Sequence, residues 1–166
     1  MFIAILGRQP EISIAELEAV YGAKNVQKIS NQAATVNCDN LSIDNLGGTI
    51  KCGQVITKIK SQKSDRNTLL QASKIIVEKY TKKLSNSQKK ITFGISFYGN
   101  KMDPRNVQKI GIILKNNLKK SSVSLRLIPN KTAALSTATS HNNKLGRSEA
   151  KIEIIIAKNV YGDLII

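Results

Sequence analysis

Residues 90–98 read Lys-Ile-Thr-Phe-Gly-Ile-Ser-Phe-Tyr. Apolar side chains alternate in this run with small or polar ones, and a period of two predicts a β-strand with one apolar face. The odd-numbered side chains from Ile91 to Phe97 would share that face. Its two phenylalanines could stack on RNA bases, as aromatics on RNA-binding strands do. Because two isoleucines lie on the same face, a hydrophobic core is the favoured interpretation.

A helix is predicted on each side of this strand. The first follows a cap at Ser64 or Asp65 and runs from about residue 66 to 84, with apolar side chains at helical spacing. The second begins at Pro104 after a cap at Asp103 and runs to about residue 119. Further along we predict a strand over 123–128, a short helix opening at 131–132, and strands over 151–157 and 163–166.

The first 60 residues predict a different unit. We expect a helix that starts from a capping box at Ser13 and Glu16 and ends at Tyr21 before Gly22. The order would be strand 2–6, this helix, a hairpin of 26–29 with 33–38, a short helix over 41–46 that ends at a Gly-Gly pair, and a strand over 49–59. The order βαββαβ is that of the ferredoxin-like fold.

Charge is distributed unevenly along the chain. In total, 26 Lys and Arg stand against 11 Asp and Glu, for a net charge of +15. Residues 1–60 hold six basic and five acidic residues, whereas residues 61–166 hold 20 and six. The boundary lies in a polar, linker-like run. We therefore predict two domains, 1–60 and 61–166, the second of which binds a polyanion. A single domain with one solubilising face is the alternative.

Several classes of protein are excluded by composition. One histidine, His141, and two cysteines are too few for a structural zinc site or a disulfide framework, and a single histidine gives no basis for predicting a catalytic triad. No apolar run is long enough to span a bilayer. The apolar start at residues 1–7 lacks a preceding basic region, which favours a strand over a signal peptide. We expect a cytoplasmic protein that has no membrane partner.

The second half of the sequence resembles a THUMP domain, the RNA-binding module of several tRNA-modifying enzymes. The segments that carry the resemblance are residues 90–96, 124–129 (Ser-Leu-Arg-Leu-Ile-Pro), 134–138 (Ala-Leu-Ser-Thr-Ala), 143–145 (Asn-Lys-Leu) and 152–156. Residues 6–13 and 46–51 likewise resemble the N-terminal ferredoxin-like domain that precedes THUMP in these enzymes. Together the two halves look like the front of the THUMP-type tRNA guanine-N2 methyltransferases.

The resemblance implies an α+β chain in which a ferredoxin-like domain is followed by an α/β THUMP domain. Such a chain would hold the acceptor stem and 3′ end of a tRNA for a methyltransferase domain that uses S-adenosylmethionine. The Pro-Pro signature of that domain does not occur, since the prolines are Pro10, Pro104 and Pro129, and the sequence ends on an apolar run as if the next domain followed. We therefore expect the tRNA-binding part of a methyltransferase, with no catalytic residue, cofactor or metal of its own. A stand-alone THUMP adaptor for a separate modifying enzyme is the alternative.

The predicted RNA contacts are basic side chains outside the predicted core. On the helix from Pro104, Arg105 and Lys109 project away from the apolar stripe that begins at Val107. THUMP-like folding would gather further basic residues from the segments that follow. The full set is Lys101, Arg105, Lys109, Arg126, Lys131, Lys144 and Arg147.

Overall fold

The computed structural model describes residues 1–62, 64–85, 87, 89–99, 102–120 and 122–166, with the backbone alone for Asp65. Within these residues the chain is an α+β protein with two sheets, which confirms the predicted class. The elements are β1 (Phe2–Leu6), α1 (Pro10–Tyr21), β2 (Val26–Lys28), β3 (Ala33–Val36), β4 (Thr49–Gln54), β5 (Lys58–Ile59), α2 (Asp65–Leu84), β6 (Ile91–Tyr98), α3 (Pro104–Lys120), β7 (Leu125–Leu127), α4 (Thr137–Asn142), β8 (Lys151–Lys158) and β9 (Leu164–Ile165).

The first sheet has the strand order β2-β3-β1-β4, and all neighbouring strands are antiparallel. The predicted hairpin of β2 and β3 is therefore confirmed. Helix α1 covers one face of the sheet, where Leu17 packs against Ala4, Leu6 and Val36. The prediction of a helix over 41–46 is wrong, because this stretch forms only a 3-10 turn at Ile43–Asn45.

Helix α1 ends at Tyr21 as predicted but begins earlier, at Pro10, so the predicted capping box is wrong. Proline is favoured at the first helical position because it has no N–H that would be left without a partner. Ser13 then lies inside the helix, and its Oγ donates to the carbonyl of Gly48 at 2.6 Å. The carboxylate of Glu16 accepts from the N–H groups of Gly47 and Gly48. The two predicted capping residues thus bind a distant loop, and Ser13 also donates to the carbonyl of Gln9 at 3.2 Å, but neither accepts from an N–H group of the first turn.

The single strand predicted over 49–59 divides into two. β4 ends at Gln54 in the first sheet, whereas β5 pairs with β9 in the second. Between them, the N–H groups of Ile56 and Thr57 donate to the carbonyl of Ile166. The chain therefore crosses between the two sheets before the polar run that the sequence suggested as a linker.

The second sheet has the strand order β5-β9-β8-β6-β7. The central strand β6 is parallel to both of its neighbours, β7 and β8, while β9 is antiparallel to β8. Helices α2 and α3 cover one face, and Phe93 and Phe97 are buried there against residues such as Ile76 and Leu114. The prediction that these phenylalanines belong to the core is confirmed.

The opposite face of the second sheet packs against the first sheet. Ile3 and Ile5 of β1 form one apolar cluster with Tyr98, Ile155 and Ala157 of the second sheet. The layers therefore run in the order α1, first sheet, second sheet, then α2 with α3. Both faces of each sheet are consequently covered along much of their length.

A buried ion pair joins the two sheets. The ammonium of Lys51 on β4 lies 2.5 Å from the carboxylate of Glu153 on β8, and about nine-tenths of each side chain is buried. Lys51 also donates to the carbonyl of Leu135 at 2.7 Å, while Ser96 donates its hydroxyl proton to Glu153 at 2.6 Å. Burial, followed by the charge of Glu153, raises the pKa of the neighbouring Tyr98. Both charged groups of this cluster therefore have partners, as burial requires.

Residues 128–147 form a covering segment beside this ion pair. The helix predicted to open at 131–132 begins instead at Thr137, where the Oγ of Ser136 accepts from the N–H of Thr139. The side chains of Ile128, Leu135 and Leu145 form a small apolar cluster over Gly94. A Cβ at Gly94 would overlap the side chain of Leu135. Because Gly94 has no side chain, the covering segment can pack directly against the sheet.

We predict that Lys51→Met lowers the free energy of unfolding by roughly 3–5 kcal/mol, because it leaves the buried charge of Glu153 without a partner. Adding Glu153→Gln should recover at least half of the loss. The neutral amide can still accept from Ser96, and it leaves no unpaired charge in the interior. Urea denaturation of both variants measures the effect.

The control is Lys24→Met, which removes an exposed lysine and should change stability by no more than about 0.5 kcal/mol. If the double variant were less stable than Lys51→Met alone, the buried charge would not be the cause of the loss.

Candidate nucleic-acid interface

The carboxyl ends of the parallel strands open onto a furrow. In sheets with parallel strands, ligands commonly bind at this edge, which we call the carboxyl edge. One stretch of the furrow, of about 610 Å³, is lined by the ends of β6 and of the covering segment; its residues include Gln32, Tyr98, Gly99, Thr132 and Ala133. The next stretch, of about 400 Å³, continues past Gln32 and Gly99 to Asn31 and Val160. Both volumes fall within the range of small-molecule sites.

Gly99 shapes the middle of the furrow. Its φ of 140° lies in a region that side chains rarely adopt, and a Cβ there would lie 2.8 Å from the Cβ of Lys158. The N–H of Gly99 donates to Oε1 of Gln32 in the first sheet at 2.8 Å. The furrow is therefore built where the two sheets meet, from the hairpin loop of the first and the strand ends of the second.

Three of the predicted contacts lie toward the carboxyl edge, although Lys109 lines a separate cavity between α2 and α3. Arg105 and Lys109 are exposed on the first turns of α3, as the helical spacing predicted. The N–H of Asn130 donates to Oε1 of Gln108, the residue before Lys109 on α3. Lys131 follows Asn130 and is exposed. This hydrogen bond therefore brings Lys131 to the side of the furrow where α3 begins.

The other three described contacts lie at the opposite end of the strands, which we call the amino edge. Arg126 is paired with Thr92, which is in turn paired with Lys151, so the three share the face opposite α2 and α3. Lys144 and Arg147 are exposed on the turn that follows α4, and the N–H of Gly146 donates to the carbonyl of Lys151. Arg126, Lys144 and Arg147 thus form one group.

The structure does not gather the predicted residues on one surface. β8 spans eight residues, which separates the two edges by about 23 Å at about 3.3 Å per residue. Arg105, Lys109 and Lys131 lie toward one edge, and Arg126, Lys144 and Arg147 toward the other. The seventh residue, Lys101, lies outside the described residues.

The predicted set of RNA contacts did not include six further lysines at the amino edge, although the sequence placed Lys119 and Lys120 on the basic face of the helix from Pro104. They are exposed at the ends of α2 and α3 and at the start of β6: Lys82, Lys83, Lys89, Lys90, Lys119 and Lys120. The four on the helices lie in last turns, where positive charge offsets the helix dipole. Lys89 and Lys90 have no such helical role. In the sequence, these residues could have been found as adjacent pairs of lysines that stand directly before or after a segment with periodic apolar residues.

The described candidate cations on the two edges form no ion pair with a described carboxylate. Ion pairs in the described part of the chain join Lys28 to Glu11 and Lys51 to Glu153, and both involve the first 60 residues. Like charges that are not balanced within the protein produce a positive potential that attracts phosphates.

No helix among the described residues is long and apolar enough to cross a membrane. In the same part of the chain, no three His, Cys, Asp or Glu side chains come together as a metal ion would require.

Comparison with models of known protein families finds no match to this sequence. Comparison with curated proteins finds no match either.

We predict that Gly99→Ala lowers the free energy of unfolding by about 1–3 kcal/mol, since it forces an unfavourable φ and a contact with Lys158. Gly53→Ala on β4 is the matched control. Its Cβ would meet only the side chain of Ile155, at 3.9 Å. Urea denaturation should show the control to be neutral or slightly stabilised. Equal losses in both variants would contradict this account of the furrow.

Proposed function

We propose that this chain binds structured RNA of the tRNA type and holds the acceptor stem and 3′ end for a modifying enzyme. The enzyme would be a guanine-N2 methyltransferase that uses S-adenosylmethionine, as the resemblance to THUMP-containing proteins implies. The observation that carries the proposal is the set of exposed candidate cations on the two edges of the second sheet, which form no ion pair with a described carboxylate.

The arrangement of the first half supports the resemblance. A ferredoxin-like unit is built from βαββαβ. Here β1, α1, β2, β3 and β4 follow in that order in one antiparallel sheet, with a 3-10 turn where the second helix would stand. The second half supplies the parallel strands β7, β6 and β8 and the two covering helices expected of an α/β domain. This support concerns the fold, and the function rests on the charges.

The separation of the two edges suits an RNA that is part duplex and part single strand. The amino edge offers dispersed lysines and arginines, which contact phosphates without reading sequence. The carboxyl edge offers a furrow with polar side chains and backbone groups. An RNA segment that spans the length of β8, about 23 Å, could contact both edges at once. We propose that duplex phosphates lie on the amino edge and unpaired nucleotides on the carboxyl edge.

We predict that tRNA affinity falls steeply between about 50 and 200 mM salt, because each neutralised phosphate releases counterions. Fluorescence anisotropy of labelled tRNA, titrated with the protein at several salt concentrations, measures the slope. An affinity that does not change with salt would contradict the proposal.

Charge reversal locates the interface. Arg126→Glu with Arg147→Glu and, separately, Arg105→Glu with Lys109→Glu should each weaken tRNA binding at least tenfold. Each pair should also lower the salt slope by about two, since each phosphate contact contributes about one. The same anisotropy titrations give both quantities.

The matched control is Lys24→Glu with Lys74→Glu, which changes net charge by the same amount. Both lysines are exposed, and neither lies at the two edges, since Lys24 is on the 3-10 turn before β2 and Lys74 is in the middle of α2. Lys28 is unsuitable because it pairs with Glu11. Equal loss in all three double variants would mean that only total charge attracts RNA, and the proposed surfaces would be wrong.

A further inference from the structure

The turn between β8 and β9 is held by a dense set of hydrogen bonds. Oδ1 of Asn159 accepts from the N–H groups of Tyr161 at 2.9 Å and Asp163 at 2.8 Å, and its Nδ2 donates to Asp163. Asp163 also accepts from the N–H of Ser61 at 2.8 Å. The bond from Ser61, followed by that from Asn159, lowers the pKa of the Asp163 carboxyl. The shape of the turn therefore does not depend on the side chain of Tyr161.

This turn exposes an aromatic side chain. Tyr161 is 83% exposed, whereas the other Phe and Tyr residues, all in the described part of the chain, are buried or half-buried. The preceding Val160 is 77% exposed. Tyr161 contributes its backbone N–H to the turn, while its ring packs into no described core cluster. A large ring displayed on a fixed turn is typical of a binding residue rather than a stabilising one.

The surroundings of Tyr161 are cationic and polar. The side chain of Lys158 passes along the turn, with its Cε 3.8 Å from the position of a Cβ on Gly162. The charge of Lys60 acts on Asp163 at the base of the turn. Val160 lines the end of the furrow, beside Ser30 and Asn31. An aromatic ring with flanking cations is the combination that proteins use to bind single-stranded nucleic acid.

We infer that Tyr161 stacks on an unpaired base of the bound RNA, with the edge of that base directed to the polar end of the furrow beside Val160. The inference rests on the proposed RNA binding and extends it to one nucleotide and one side chain. A protein partner is the less suitable occupant, because the centre of a protein interface is depleted in lysine and more apolar than this surface.

The absence of tryptophan from the sequence provides a direct test. Tyr161→Trp introduces one indole, whose fluorescence a stacked base quenches. Two probes are compared: a hairpin RNA with an unpaired 3′ extension, and the same hairpin with a blunt end. We expect quenching by the extended hairpin and little change with the blunt one. The control is Val20→Trp, which places the indole on the exposed face of α1, far from the furrow, where neither RNA should quench it.

Affinity gives the second measurement. The wild-type protein should bind the extended hairpin more tightly than the blunt one, and Tyr161→Ala should weaken binding to the extended hairpin roughly tenfold with little effect on the blunt hairpin. Tyr161→Phe, which keeps the ring, should bind like the wild type. Far-ultraviolet circular dichroism and thermal melts establish that each variant is folded.

The outcomes separate the two proposals. If the wild type binds neither hairpin, the proposed RNA binding fails and this inference fails with it. Suppose instead that the wild type binds both hairpins, that Tyr161→Ala binds each hairpin as tightly as the wild type does, and that RNA at saturation does not quench Tyr161→Trp. RNA binding then stands and the stacking inference is overturned. In that case the exposed turn is assigned to a protein partner.

Discussion

The buried pair of Lys51 and Glu153 determines how the two halves of this protein fit together. Each charge would be strongly disfavoured in the interior without the other, and the two lie on different sheets. The pair therefore fixes β4 against β8 at one position. Because Lys51 also binds the carbonyl of Leu135, it positions the covering segment over Gly94. The amino edge and the furrow both take their shape from this arrangement.

The fixed arrangement gives the basic half of the chain two distinct surfaces. At the amino edge, lysines and arginines converge from five segments that extend from the end of α2 to the turn after α4. At the carboxyl edge, the loop of the first sheet supplies Gln32 to the furrow between the strand ends of the second. A near-neutral first half thus contributes to a site whose charge comes from the second half. This division explains how one RNA could be held by charge at one end and by shape at the other.

Local signals in the sequence failed where a distant partner competed for the same groups. Ser13 and Glu16 have the spacing of a capping box, yet both bind the loop at Gly47 and Gly48, since Pro10 can start the helix without a cap. The residues after Ser42 form one 3-10 turn instead of a helix. Lys51 appeared as an ordinary basic residue, because no local pattern reveals that its partner stands 102 residues away.

The sequence alone determined the α+β class, most of the strands, the two long helices and the buried face of β6, because each follows from periodicity within a single segment. It also determined the excess of positive charge in the second half and the exposure of Arg105 and Lys109. Only the tertiary structure decided that the candidate cations divide between two edges, that β5 belongs to the second sheet, and that Tyr161 stands exposed on a rigid turn. These features depend on which segments pair across long separations, and such pairing is governed by burial and by hydrogen bonds between elements rather than by local sequence.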